Sequence, residues 1–113
     1  MPGRFWMPLY VGDYLADTRH LSAAQHGAYL LLLMHYWAKG GLPADERQLA
    51  KIAAMSLKQW QRNRASVAPF FGEGWRSARL DQEIHRMTLM RAKRAAAGSK
   101  GGTIASINRY RKR

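Results

Sequence analysis

Residues 45–71 read DERQLAKIAAMSLKQWQRNRASVAPFF, two short helical stretches hinged at Met55-Ser56, and the fold follows from them. Asp45, following Pro43, suits a helix N-cap, and a helix is expected over 46–54 with Leu49, Ile52 and Ala53 turned inward. Ser56 and Gln59 have capping-box spacing, in which two side chains satisfy orphan amides of a first turn reciprocally. A second helix is therefore expected over 57–68, stopped by Pro69. Small Ala50 where the helices cross, Ser56 after the turn and bulky Trp60 four positions later complete a helix-turn-helix pattern. One position departs from it. The turn residue usually given to Gly is Ala54, which resists a left-handed conformation by roughly 1–2 kcal/mol, so a turn unlike the common form is expected.

Projecting residues 57–71 at about 100° per residue gathers Leu57, Trp60, Val67, Ala68 and Phe71 on one arc. Lys58, Gln59, Arg62 and Ser66 fall opposite. In a DNA-binding helix-turn-helix that polar side of the second helix enters the major groove. Arg62 and Gln59 are of the types that read guanine and adenine edges, while Lys58 suits a phosphate. Arg64 falls inside the apolar arc, so its stem is expected to pack and its guanidinium to reach solvent. The same layout also describes purely structural helical pairs.

Outward from this centre, residues 5–11 (FWMPLYV) read as an extended edge segment, because Pro8 lacks an amide donor. Residues 14–17 read as a short turn or helical piece. Ser22 and Gln25 repeat the capping-box spacing, and a core helix is expected over 23–38, ended by Gly40-Gly41. Its apolar residues point all round the axis, as in a buried helix. Gly27 inside it implies a close backbone crossing. Residues 70–80 (FFGEGWRSARL) read as a β-hairpin wing turning at Gly72-Glu73-Gly74, with Arg76 and Arg79 as candidate phosphate contacts. Asp81 is expected to cap a final helix through Ile84, Met87 and Met90, broken by Gly98, Gly101 and Gly102. The fold class expected is α+β, mainly helical. It comprises a winged-helix-like domain over 1–84 and a basic helical extension over 85–113, with 103–113 disordered when free.

Charge is split between those two parts. The first 84 residues carry ten basic and seven acidic side chains, whereas residues 85–113 carry nine basic and no acidic ones. The nine are Arg86, Arg91, Lys93, Arg94, Lys100, Arg109, Arg111, Lys112 and Arg113. Such an arm neutralises phosphates and gives sequence-independent affinity that falls steeply with salt. The Gly98-Ser99-Lys100-Gly101-Gly102 stretch lacks the glycine spacing of a phosphate-binding loop. There is no Cys in the chain, and its four His lack metal-ligand spacing. No nucleophile arrangement or paired carboxylates can be assembled, so no enzyme, cofactor or metal is expected. The longest apolar run, 28–34, is seven residues, against about 20 for a membrane span, so a cytoplasmic protein with no membrane partner is expected.

Ordered blocks along the chain also resemble a known family. WMPLYVGDYLADT (6–18), LSAAQHGAYLLLLMHYW (21–37), GLPADERQLAKIAAMS (41–56) and GWRSARLDQEI (74–84) resemble the YdaU-like family, of unknown function, found in prophage replication regions. The ending Lys93-Arg94, Ala97-Gly98, Lys100-Gly101-Gly102 is also similar. The resemblance implies a winged-helix-like domain associated with phage DNA replication or its initiation in a bacterial host cell. It assigns no residue a role. Members often continue into a longer C-terminal region. The leading expectation is thus a non-enzymatic binder of double-stranded DNA. The alternatives are an adaptor that docks replication proteins such as a helicase or its loader, with Trp6, Tyr10 or Trp60 as anchors, and an RNA binder acting through the arm. Self-association is left open.

Overall fold

The computed structural model describes residues 6–100, with side chains to Gly98, as five helices and two single-turn 3-10 segments. The chain divides into two units, Met1–Asp81 and Gln82–Arg113. Residues 6–10 run in irregular backbone, not in the edge strand expected there, and α1 (Val11–Asp17) follows directly. Tyr14 ties α1 to the next helix. Its ring stacks on Tyr29 at 5.9 Å, and its hydroxyl lies 2.7 Å from Nδ1 of His26. Buried Thr18 closes α1 by donating its hydroxyl to the Tyr14 carbonyl.

The core helix α2 (Ala23–Lys39) opens on a complete Ser22–Gln25 capping box and ends at Gly40 in the left-handed region, φ 83°. It buries Ala28, Tyr29, Leu32, Leu33, Tyr36 and Trp37, but Leu31 and Met34 remain exposed. An apolar sequence all round the axis therefore does not make a helix buried all round; the other elements cover one side only. Gly27 corrects a second expectation. A Cβ built there would meet nothing within 4 Å, so no backbone crosses at that point.

Helices α3 (Glu46–Ile52) and α4 (Leu57–Val67) pack on α2 and on each other, burying Leu49, Ala50, Ala53, Trp60 and Val67. Asp45 caps α3, and the Ser56–Gln59 box caps α4. The turn between them takes the common form after all. Ala54 adopts φ 59°. Around it the Met55 amide donates to the Ala50 carbonyl at 2.9 Å and the Ala54 amide to the Lys51 carbonyl at 3.1 Å. These are the two hydrogen bonds that close a helix through a left-handed residue, and they hold an alanine where glycine is the unstrained choice.

The expected hairpin wing is absent. The described residues contain helices and turns but no strand, so the fold is all-α and not α+β. Residues 68–75 instead form two 3-10 turns, Ala68–Phe70 and Glu73–Trp75, the second passing through positive φ at Gly74 and Trp75. Two effects override the turn signal. Phe71 and Trp75 both bury their rings in the same core, 5.6 Å apart, which coils the chain between them. In addition, Ser77 starts a helix where the second strand would run, accepting the Leu80 amide at its hydroxyl. That helix, α5 (Ala78–Lys100), continues past Gly98; Asp81 lies inside its first turn and is not its cap. Gly101, Gly102 and residues 103–113 lie outside the described residues. Among the described residues no helix is long and apolar enough to cross a membrane.

Asp81 serves a different purpose. Its Oδ1 accepts the Tyr36 hydroxyl at 2.5 Å and Arg76 Nη2 at 2.7 Å. Arg76 also donates to the Gly40 carbonyl at 3.2 Å and lies over the Tyr36 ring at 5.1 Å. The Tyr36 hydroxyl accepts the Ser77 amide at 3.0 Å, so this cluster joins the end of α2 to the start of α5. Partial burial pushes the Asp81 carboxyl up, but the Tyr36 and Arg76 donors outweigh it and hold it below its ordinary value. Burial, reinforced by the carboxylate, raises the Tyr36 phenol.

Two opposite backbone exchanges are expected to stabilise the fold. Ala54→Gly relieves the left-handed strain, and Gly27→Ala removes a helix-interior glycine with open space above it. Each should raise stability by about 1 kcal/mol in urea denaturation. A carboxyl lowered by folding contributes stability in full above its ordinary pKa and loses it as pH falls from there through its own lowered value. Asp81→Asn is therefore expected to cost about 1 kcal/mol at neutral pH, a modest figure because both partners are partly solvated, and less at about pH 2. Thermal melts at the two pH values check it.

Candidate nucleic-acid interface

Helix α4 presents its solvent face because Trp60 and Val67 anchor the opposite one. Lys58 and Arg62, one helical turn apart, are both exposed on it. Gln61 and Ala65 are exposed as well, at positions the projection places beside Lys58, so Gln61 joins the candidate set. Arg62 also edges a cleft of about 450 Å³ floored by Ala24, Gly27 and Leu31 of α2 and by the Ala54-Met55 turn.

The other two candidates on α4 already have partners. The Gln59 side-chain oxygen accepts the Ser56 amide at 2.9 Å to complete the capping box. Bidentate reading of adenine needs both ends of the amide, so Gln59 does not offer it while the box is closed. Ser66 faces α2. Its hydroxyl accepts Gln25 Nε2 at 3.3 Å, and the same nitrogen donates to Asn63 Oδ1 at 3.0 Å. Helical projection cannot anticipate this, because it does not say where the first turn of α2 lies.

Arg64 keeps part of its side chain exposed, as expected, but its guanidinium also has a partner that the projection does not show. Its Nε and Nη2 donate to the two Glu46 carboxylate oxygens at 2.9 and 3.3 Å, and its guanidinium lies 5.4 Å from the Trp75 ring. Trp60 Nε1 donates to the same Glu46 at 2.7 Å. An arginine within an apolar arc is the sequence signal for such a pair, but the acceptor lies 18 residues away. Trp60 itself has no exposed surface, which excludes it as an interface anchor, whereas Trp6 and Tyr10 are exposed.

Without a wing, Arg76 and Arg79 do not share a strand. Arg76 is committed to Asp81 and Gly40, as described above. Arg79 is exposed at a hollow of about 200 Å³ shared with Asp17, Phe70 and Tyr29. There burial raises the Tyr29 phenol and the Arg79 charge lowers it, with burial prevailing.

The second unit, taken by itself, carries Arg86, Arg91, Lys93 and Arg94 exposed on α5. Arg86, Lys93 and Arg94 recur at i, i+7 and i+8, which places them on one side of the helix. Arg86 pairs with Glu83 at 2.5 Å. The side chain of Lys100, and Arg109, Arg111, Lys112 and Arg113 entirely, lie outside the described residues.

Residues 5–85 match the model of a family described as "Protein of unknown function (DUF1376)". Over 96 residues the chain is 43% identical to "Uncharacterized protein YdaU" of Escherichia coli (strain K12). That alignment covers 82% of this chain and 33% of YdaU, so the chain spans about a third of the length of that relative. No solved structure matches. Matched across residues 5–85 and 43% identical to YdaU, the chain belongs to the YdaU-like, DUF1376 family of unknown function.

Proposed function

We propose that this protein is a non-enzymatic binder of double-stranded DNA. The observation that carries the reading is the exposed pair Lys58 and Arg62 on α4, the second helix of a helix-turn-helix. Arg62 is the residue able to make a bidentate contact with a guanine edge, and Lys58 neutralises a phosphate beside it. Gln61 lies on the same exposed face. The basic arm adds sequence-independent attraction, for which Arg91, Lys93 and Arg94 are exposed on α5. Arg76 is left out of the DNA-facing set because its guanidinium already holds Asp81 and the Gly40 carbonyl. A role in phage replication rests on the resemblance in ordered sequence blocks. An adaptor role has one observation of its own, the exposed apolar side chains Trp6, Leu9, Tyr10, Val11 and Leu15.

Fluorescence anisotropy of the full chain on labelled duplexes of varied sequence, across a salt series, tests the reading. Arg62→Ala with Lys58→Ala is expected to reduce discrimination between duplexes by about 1–3 kcal/mol. Arg91→Ala with Lys93→Ala and Arg94→Ala is expected to flatten the log–log salt slope by about 0.9 for each phosphate left without a cation, with preference intact. Duplex affinity unchanged by both sets would sink the proposal. Displacement by single-stranded RNA in preference to duplex DNA would replace it with RNA binding.

A further inference from the structure

On the α2–α3 side of the body the chain forms an open cleft of about 500 Å³, within the usual range of ligand pockets. Its walls are the last turns of α2, carrying His35 and Lys39 at i, i+4, and the outer face of α3, carrying Gln48 and Lys51. Its floor is aliphatic, formed by Leu42, Pro43 and Ile52. No residue lining it is acidic, although the first 84 residues as a whole carry seven acids against ten bases. Lys39 and Lys51 are exposed, and neither enters an ion pair among the described residues.

We propose that this cleft docks an acidic segment of a partner protein, taking one bulky apolar side chain onto Leu42, Pro43 and Ile52 and its flanking carboxylates onto Lys39, Lys51 and His35. Charge complementarity selects the occupant: an apolar pocket edged by two lysines and no acid favours an apolar group with negative charge on either side. A peptide fits better than a nucleic acid. No Trp, Tyr or Phe lines the cleft to stack a base, and phosphates held at the rim would leave the aliphatic floor uncovered. Partial burial, with the Lys39 charge adding to it, lowers the His35 imidazole, so at neutral pH it offers one N–H to a carboxylate. The competing explanation is that Lys39 and Lys51 balance the negative C-terminal ends of α2 and α3, where both reside. That role would affect stability alone.

The test titrates the full chain with a labelled synthetic peptide in which aspartates flank a single phenylalanine. Two control peptides replace the aspartates by asparagine and the phenylalanine by alanine. Binding is expected to shift the NMR signals of His35, Leu42 and Ile52. Both controls and the variant Lys39→Ala with Lys51→Ala should bind roughly tenfold more weakly, because each lacks either the charge pairing or the apolar anchor. The arm variant Arg91→Ala with Lys93→Ala and Arg94→Ala should bind as the parent does. Binding abolished in the arm variant but not in the lysine variant would overturn the proposal, showing unspecific attraction to the basic extension. A lysine variant that melts earlier and keeps full peptide affinity would overturn it in favour of dipole balance. A short DNA duplex producing the same shifts and displacing the peptide would reassign the cleft to phosphate.

Discussion

Trp60 has no exposed surface, and a buried indole N–H needs an acceptor. Glu46 supplies it at 2.7 Å from the first turn of α3. The carboxylate is favourable there for two further reasons. It sits at the positive end of the α3 dipole, and Arg64 meets both of its oxygens. One ring thus couples the start of α3 to the first turn of α4. Trp75, 5.7 Å from Trp60, extends the same cluster into the segment that follows α4. The angle at which α4 leaves the turn, and therefore the face it shows to solvent, depends on this arrangement.

The segment after α4 shows how burial can outweigh a turn signal. Gly72, Glu73 and Gly74 between aromatic residues have the composition of a hairpin. A hairpin built on it would have to distribute its aromatic rings over two faces of a two-stranded ribbon, which is marginal alone. Packing Phe71 and Trp75 into one core buries both, and the cost is positive φ at Trp75. The absence of the wing then changes Arg76 from a candidate phosphate contact into a clamp between Asp81, Gly40 and the Tyr36 ring.

For the interface, legibility varies with the range of the interactions involved. Lys58 and Arg62 are recoverable from helical projection, because an exposed cation on the face opposite Trp60 needs only the period of the helix. Gln59 misleads although its partner is local: the same spacing that marks it as a capping residue also withdraws it from base recognition. Ser66 misleads because its partner, Gln25, is 41 residues away. The cleft edged by Lys39 and Lys51 has no sequence signature at all, since its walls come from two helices that only packing brings together.

The amino-acid sequence by itself determined where α2, α3 and α4 begin, since the Ser22–Gln25 and Ser56–Gln59 boxes and the Asp45 cap each act within three residues. It also determined the separation of a nearly balanced body from a wholly basic arm, since charge is a property of composition. Tertiary structure alone decided that Arg64, Arg76 and Ser66 are occupied within the fold. Arg64, Arg76 and Ser66 all carry donors or acceptors that water would satisfy equally well in an isolated helix. Each is drawn instead to a partner that folding places beside it: Glu46, the Gly40 carbonyl and Gln25. The left-handed turn at Ala54 was decided in the same way. Local preference opposes it, but the burial of Leu49, Ala50 and Trp60 on either side outweighs a strain of roughly 1–2 kcal/mol.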